Sequence, residues 1–256
     1  MLSAWIRTGL AVGALAFVAT PAWAESFQVN PSAIGAPQGS FTAGLTDFSY
    51  NATVNQTGPT GCVPSCAFTE TGHASFSGFK AADFITPVLN TGLNQNPGYT
   101  LTGDFTASGT AAPDVMGGLT ATFNTFNLTL NTQTQPGGAN TVVAQSSGLV
   151  SGQAHIFGPD LAKGDFHVLL QLNPVGGFLS GPFVLNLTTA DFAGNNTNVT
   201  GFSVGAFTGG TIQGSGDLSI RAVPEPASLL LLGSGMAGIA WYRRRFVRKP
   251  SSGSIS

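Results

Sequence analysis

Between residues 40 and 222, apolar and polar side chains alternate in short runs. Tyr99, Leu101, Gly103, Phe105 and Ala107 alternate with Thr100, Thr102, Asp104 and Thr106. Phe126, Leu128 and Leu130 alternate with Asn127 and Thr129; 166–172 and 183–187 follow the same rule. A period of two sends successive side chains to opposite faces of a strand. Residues 41–50, 68–79, 147–157, 199–208 and 211–220 are further strand candidates. Clusters such as Asn96-Pro97-Gly98, Gly176-Gly177 and Ala193-Gly194-Asn195 read as turns between them. Residues 132–140 read as a long surface loop, and 80–89, ended by Pro87, carry the one helical hint. About ten short antiparallel strands, each with a polar face, predict an all-β fold, either an antiparallel β-sandwich or a curled meander. Leu-Thr-Gly, Val-Ser-Gly and Leu-Ser-Gly recur without a fixed period, so a single domain over 25–222 is expected rather than a repeat array.

The two ends break this pattern. Arg7, an apolar run over 9–19 and Ala22-Trp23-Ala24 have the order of a secretory signal peptide spanning 1–24, with cleavage after Ala24. At the other end come Val223, Pro224, Glu225 and Pro226, then an apolar stretch over 227–242, then Arg243, Arg244 and Arg245. As a helix that stretch is about 24 Å long, and Trp241, Tyr242 and the arginines extend its effective reach toward a full bilayer span. Positive charge stays inside, which puts residues 243–256, with the tail over 250–256, in the cytoplasm and everything before Pro224 outside it. Pro-Glu-Pro, a short apolar segment and an Arg cluster, in that order over 223–249, resemble the PEP-CTERM sorting signal of Gram-negative bacteria. The resemblance implies transient anchoring in the inner membrane and cleavage near the tripeptide by an exosortase, a membrane-embedded transpeptidase. Prolines on either side of Glu225 keep the backbone extended and accessible there.

Composition narrows the function of the interior. Charged residues make up 8% of the 256, against about 25% in an average soluble domain. Ten carboxylates face three basic residues (Lys80, Lys163, Arg221) over 25–223, so the exported part carries about −7. Without a basic patch, nucleic acid is excluded as a partner and polyanions are disfavoured, which leaves neutral glycans or acidic ones bridged by divalent cations. Cys62 and Cys66, the only two cysteines, predict a local disulfide in an exported chain.

Candidate chemistry is sparse. Gly201-Phe202-Ser203-Val204-Gly205 has the nucleophile-elbow spacing, but glycine-rich sequence follows it and no histidine comes after Ser203. Ser77-Gly78-Phe79-Lys80 has a serine–lysine spacing without partner motifs. Asp165 and His167 share a strand face and could form a carboxylate–imidazole pair with no nucleophile to serve. Asp191, Asn195, Asn196 and Asn198 offer oxygens to calcium without the EF-hand spacing. Asn-x-Ser/Thr sequences at Asn51, Asn55, Asn127, Asn186, Asn195 and Asn198 fit polar strand faces built from uncharged side chains. The reading therefore assigns no catalytic residue, metal or cofactor.

Phe27-Gln28-Val29-Asn30-Pro31-Ser32, Asn96-Pro97-Gly98-Tyr99 and 214–220 resemble flocculation-associated PEP-CTERM proteins. That resemblance implies a non-enzymatic surface or matrix protein that supports cell aggregation within exopolysaccharide. Its partners would be the exosortase, then exopolysaccharide or further copies joined through sheet edges. Two alternatives are a secreted hydrolase of matrix polysaccharide and a membrane-anchored periplasmic binding module.

Overall fold

The computed structural model describes residues 26–57, 62–158, 161–180, 188–202 and 209–222. Within these, eight long strands form one closed antiparallel barrel. They are β3 (Leu45–Thr57), β4 (Cys66–Lys80), β5 (Gly98–Pro113), β6 (Leu119–Gln135), β7 (Asn140–Ile156), β8 (Gly164–Pro174), β10 (Thr188–Thr200) and β11 (Gly209–Ala222). Each pairs with its neighbour in the chain, and β11 returns to β3, from Gly209 opposite Asn55 to Ser219 opposite Leu45. The meander curls until it meets itself. A small second sheet, ordered β2 (Phe41–Ala43), β1 (Phe27–Val29) and β9 (Leu179–Ser180), covers the end where β3 and β5 begin. A 3-10 turn over Pro31–Ile34 joins β1 to β2. Under this sheet Tyr99 and Phe178 are fully buried and meet edge to face at 5.4 Å.

Alternation decides what lies inside. Phe166, Val168, Leu170 and Leu172 of β8 are buried, as are Phe48, Tyr50, Ala52 and Val54 of β3. The lumen is a continuous aromatic core. Phe48 stacks on Phe192 at 4.2 Å, Phe105 stacks on Phe126 at 5.2 Å, and Phe166 meets Tyr50 edge to face at 5.2 Å. Burying each ring contributes about 2–3 kcal/mol, and good ring pairs add about 0.5–1.5. Small residues make the room. A Cβ on Gly72 would lie 2.2 Å from the Phe105 ring, and one on Gly214 would lie 2.6 Å from the Tyr50 ring. Abundant Gly and Phe are thus two halves of one packing solution.

Outward positions read Ser49, Asn51, Thr53 and Asn55 on β3, and Thr69, Thr71, His73 and Ser75 on β4. A transmembrane barrel needs an apolar band on this side. Here the described strands have the reverse arrangement. No helix among the described residues is long and apolar enough to cross a membrane.

Several expectations are corrected. Residues 81–97 form a loop without a helix, because the Asp83 carboxylate accepts the Ile85 and Thr86 N–H groups (3.0 and 2.9 Å) and Lys80 bridges Pro87. The long loop over 132–140 reduces to a four-residue turn after Gln135, with Gly137 at φ +70°. Ala193-Gly194-Asn195 is strand rather than turn, since Gly194 leaves space that the Phe166 ring approaches. Closure also removes most of the long free edges that an edge-pairing route to self-association requires; among the described residues, short β2 and β9 and a gap between β6 and β7 keep open edges. The candidate strand at 183–187, Ser203, the segment over 1–24 and everything from Val223 onward lie outside the described residues.

Gly72→Ala should lower stability by about 1–3 kcal/mol, because the added methyl has only packed ring and backbone around it. Thr71→Ala, on the exposed side of the same strand, should change it by less than about 0.5 kcal/mol. Paired urea denaturation curves check both.

Candidate functional site

The barrel wall is interrupted between β6 and β7. Their ladder runs from Leu119–Ile156 to Thr122–Gln153 and resumes only at Thr129–Gln145. Over the gap, β7 shifts register against β8 twice, at Ser146/Gly148 and at Leu149/Ser151. Extra residues of this kind bend a strand and increase its twist. Across the gap the Leu128 N–H donates to Ser146 Oγ at 2.8 Å, which replaces one ladder bond. The result is a groove of about 1160 Å³, reaching from β6 across to β11.

Asn124, Ser151, Gln153, His155, Asp165, His167, Asn195 and Asp217 line the groove, with Leu149, Val150, Phe123 and Phe166 as its apolar part. Among the described residues no Lys or Arg lines it. Asp165 and His167 do share the outward face of β8, yet they do not pair with each other. Asp165 lies directly opposite His155 in the β7–β8 ladder, with Oδ1 2.8 Å from Nδ1. His167 Nε2 lies 2.7 Å from Asp191 Oδ1 on β10. Away from the groove His73 does the same with Asp104, Nδ1 to Oδ1 2.7 Å, and Asn131 Nδ2 donates to the other Asp104 oxygen. All three histidines are therefore cross-strand partners of aspartates. An imidazole held this way presents its remaining ring nitrogen as a fixed hydrogen-bonding group.

Where β3, β4 and β11 meet, Asp47 faces Asp217 across the ladder, and Lys80 Nζ lies 2.7 Å from Asp47 and 3.8 Å from Asp217. Burial and a hydrogen bond with Asp47 push the Asp217 carboxyl up to about 6. For Asp47 burial pushes upward, but the hydrogen bonds from Asp217 and Lys80 outweigh it and hold the group below its ordinary value. Lys80 is held charged, chiefly by its hydrogen bond to Asp47, so in the Ser77–Lys80 spacing it is no general base. Ser77 Oγ itself donates to the Asp47 carbonyl at 3.4 Å. The calcium candidates separate too: Asn196 is buried inside the barrel, while Asn195 and Asn198 are exposed on the outer face. Among the described residues no three His, Cys, Asp or Glu side chains converge on one point. Cys62 and Cys66 form a disulfide, with Cα atoms 4.4 Å apart.

Sequence reasoning passed over Glu70. It lies inside the barrel between two cavities of about 30 and 40 Å³, beside Tyr50, whose hydroxyl donates to Asn196 Oδ1. Burial pushes its carboxyl up to about 7. Burial, and then the nearby Glu70 charge, push the Tyr50 hydroxyl upward as well. Parity would have found Glu70, since it shares the inward face of 68–79 with Phe68, Ala74 and Phe76. Phe123 and Phe166 line both the groove and the inner cavity, so two rings separate Glu70's surroundings from solvent.

Residues 222–245 match the PEP-CTERM protein-sorting motif. The chain carries that sorting signal. It contains Pro224-Glu225-Pro226 and the apolar stretch, and it ends in the Arg cluster. A PEP-CTERM signal marks an exported protein that transits a membrane and is processed by an exosortase. No curated protein and no solved structure matches the chain.

Glu70 gives a pH prediction whose sign is fixed. Its folded value is raised above the ordinary 4.5, so below about pH 4.5 both states hold the proton and Glu70 carries no penalty. Stability then falls by about 3 kcal/mol as pH rises to about 7, and stays lower above that. Glu70→Gln removes this term. The stability of the variant minus that of wild type should rise by about 3 kcal/mol between pH 4.5 and 8, as measured by urea unfolding across that range.

Proposed function

We propose that this protein is a non-enzymatic component of the cell surface or extracellular matrix that supports exopolysaccharide-associated cell aggregation. The sorting motif at 222–245 carries the reading, because it joins export to exosortase processing at the point where the barrel ends. An N-terminal signal with cleavage after Ala24 opens the export route. The segment over 227–242 holds the chain in the inner membrane until a cut near Val223–Pro226 frees residues 25–222 for the outer surface or matrix.

The groove supplies the contact. Sugar hydroxyls both donate and accept hydrogen bonds, and amide, hydroxyl, imidazole and carboxylate groups all converge there. Leu149 and Val150 offer apolar surface to the C–H faces of a sugar ring. Two carboxylates and no lining Lys or Arg among the described residues favour a neutral chain over a polyanion. Ligation is weak per site, as hydrogen bonds to a hydrated glycan are, and many copies on one polymer turn it into adhesion. The closed barrel favours this route over self-association, since its long strands are paired on both sides except where β6 parts from β7.

Cosedimentation of residues 25–222 with polysaccharide from the host's own matrix tests the reading. Wild-type protein should pellet with the polymer. The triple variant Asn124→Ala, Gln153→Ala, Asn195→Ala should bind at least about ten-fold more weakly with unchanged thermal stability, as expected for three exposed hydrogen-bonding groups. Equal binding by both proteins would remove the groove from the account. Shortening of the polymer by the wild-type barrel would favour the hydrolase alternative.

A further inference from the structure

The two ends of the barrel stand in different relations to the sorting signal. Leu45 of β3 faces Lys80 of β4 on one side and Ser219 of β11 on the other, so these three strand ends share a rim. β11 runs toward this rim and ends at Ala222, where the sorting motif begins. The loop over 81–97 and Val175, just after β8, lie at the same rim. From Ala222 to the apolar stretch at Ala227 is five residues, a reach of at most about 18 Å even when fully extended. The other rim is about 40 Å away, given strands of 13–17 residues tilted as barrels require. The near rim is therefore the part of the barrel held next to a membrane that holds residues 227–242.

Beside the small sheet that covers part of it, that rim carries exposed apolar side chains. Ile85 is 79% exposed, Leu89 78% and Val175 43%. The loop that bears the first two is firmly tied. Ala81 N–H donates to the Thr86 carbonyl at 2.8 Å, Val88 N–H donates to the Phe79 carbonyl at 2.8 Å, and Asp83 accepts from Thr86 Oγ1 as well as from the two backbone N–H groups already described. A pinned loop loses little conformational freedom when its apolar side chains enter a lipid interface.

We propose that, in the unprocessed chain, this rim rests on the outer face of the inner membrane, with Ile85 and Leu89 inserted among the lipid headgroups. The inference depends on residues 227–242 being the membrane anchor. Barrel and anchor then grip the bilayer at two points on either side of Pro224-Glu225-Pro226. The tripeptide is held at the membrane surface, within reach of a membrane-embedded transpeptidase, and the cut leaves only the weaker loop contact. Release of the barrel follows from the cut without a separate step.

Val115 (102% exposed) and Met116 (82%) lie in the β5–β6 turn at the far rim and provide an internal comparison of equal apolar character. The native cysteines are joined in a disulfide, so a single introduced cysteine can be labelled selectively. Ile85→Cys, Leu89→Cys and Met116→Cys would each be labelled with an environment-sensitive fluorophore. The chain from Glu25 to Ser256 is then reconstituted into phosphatidylethanolamine–phosphatidylglycerol vesicles with brominated acyl chains. Labels at 85 and 89 should be quenched at least two-fold more than the label at 116. Flotation with the vesicles but equal quenching at all three positions would overturn the rim contact and leave the anchor standing. Failure to float with lipid would overturn the anchor and the rim contact together.

Discussion

Pairing of β11 with β3 is the contact on which the rest of the molecule depends. It joins the last strand to the first of the barrel and turns a meander into a closed wall. Once the wall is closed, inward side chains from all eight strands meet in one lumen, and the aromatic stack from Phe48 to Phe192 becomes continuous. The same pairing sets the direction of β11, and with it the rim from which the chain leaves for its sorting signal. It also leaves the barrel without long edges, so contacts must be made by outward side chains and by the groove.

What the sequence reveals follows from how local each feature is. The alternation over 166–172 assigns inside and outside correctly, because period two is a property of the strand alone. Closure is a pairing between residues more than 150 positions apart, and no local pattern separates a sandwich from a meander that meets itself. Gly194 shows the opposite error. Glycine beside asparagine reads as a turn, but here it is strand that yields space to a ring arriving from the next strand. The histidine pairs were half legible: Asp165 and His167 share a face as expected, while their partners were fixed by register across β7, β8 and β10. Glu70 was legible by parity and went unread because a lone acid in a threonine-rich strand looks like surface.

The sorting signal and the groove are written differently in this chain. The sorting signal is linear, so its order of tripeptide, apolar segment and arginines can be read without any fold. The groove exists only because β7 shifts register twice and parts from β6, and its lining comes from five strands. A closed barrel with an aromatic core suits the life such a signal implies. A wall with few open edges resists the strand-to-strand aggregation that crowded export invites.

The central claim is that this barrel is delivered by exosortase processing. Its most direct test is the intact mass of the protein recovered from culture matrix, in the host with its exosortase and in the same host with that enzyme deleted. The account predicts a matrix form that begins at Glu25, ends near Val223–Pro226 and is present only when the enzyme is present. A chain that still reaches Ser256 in both strains, and stays in the inner membrane, would contradict it.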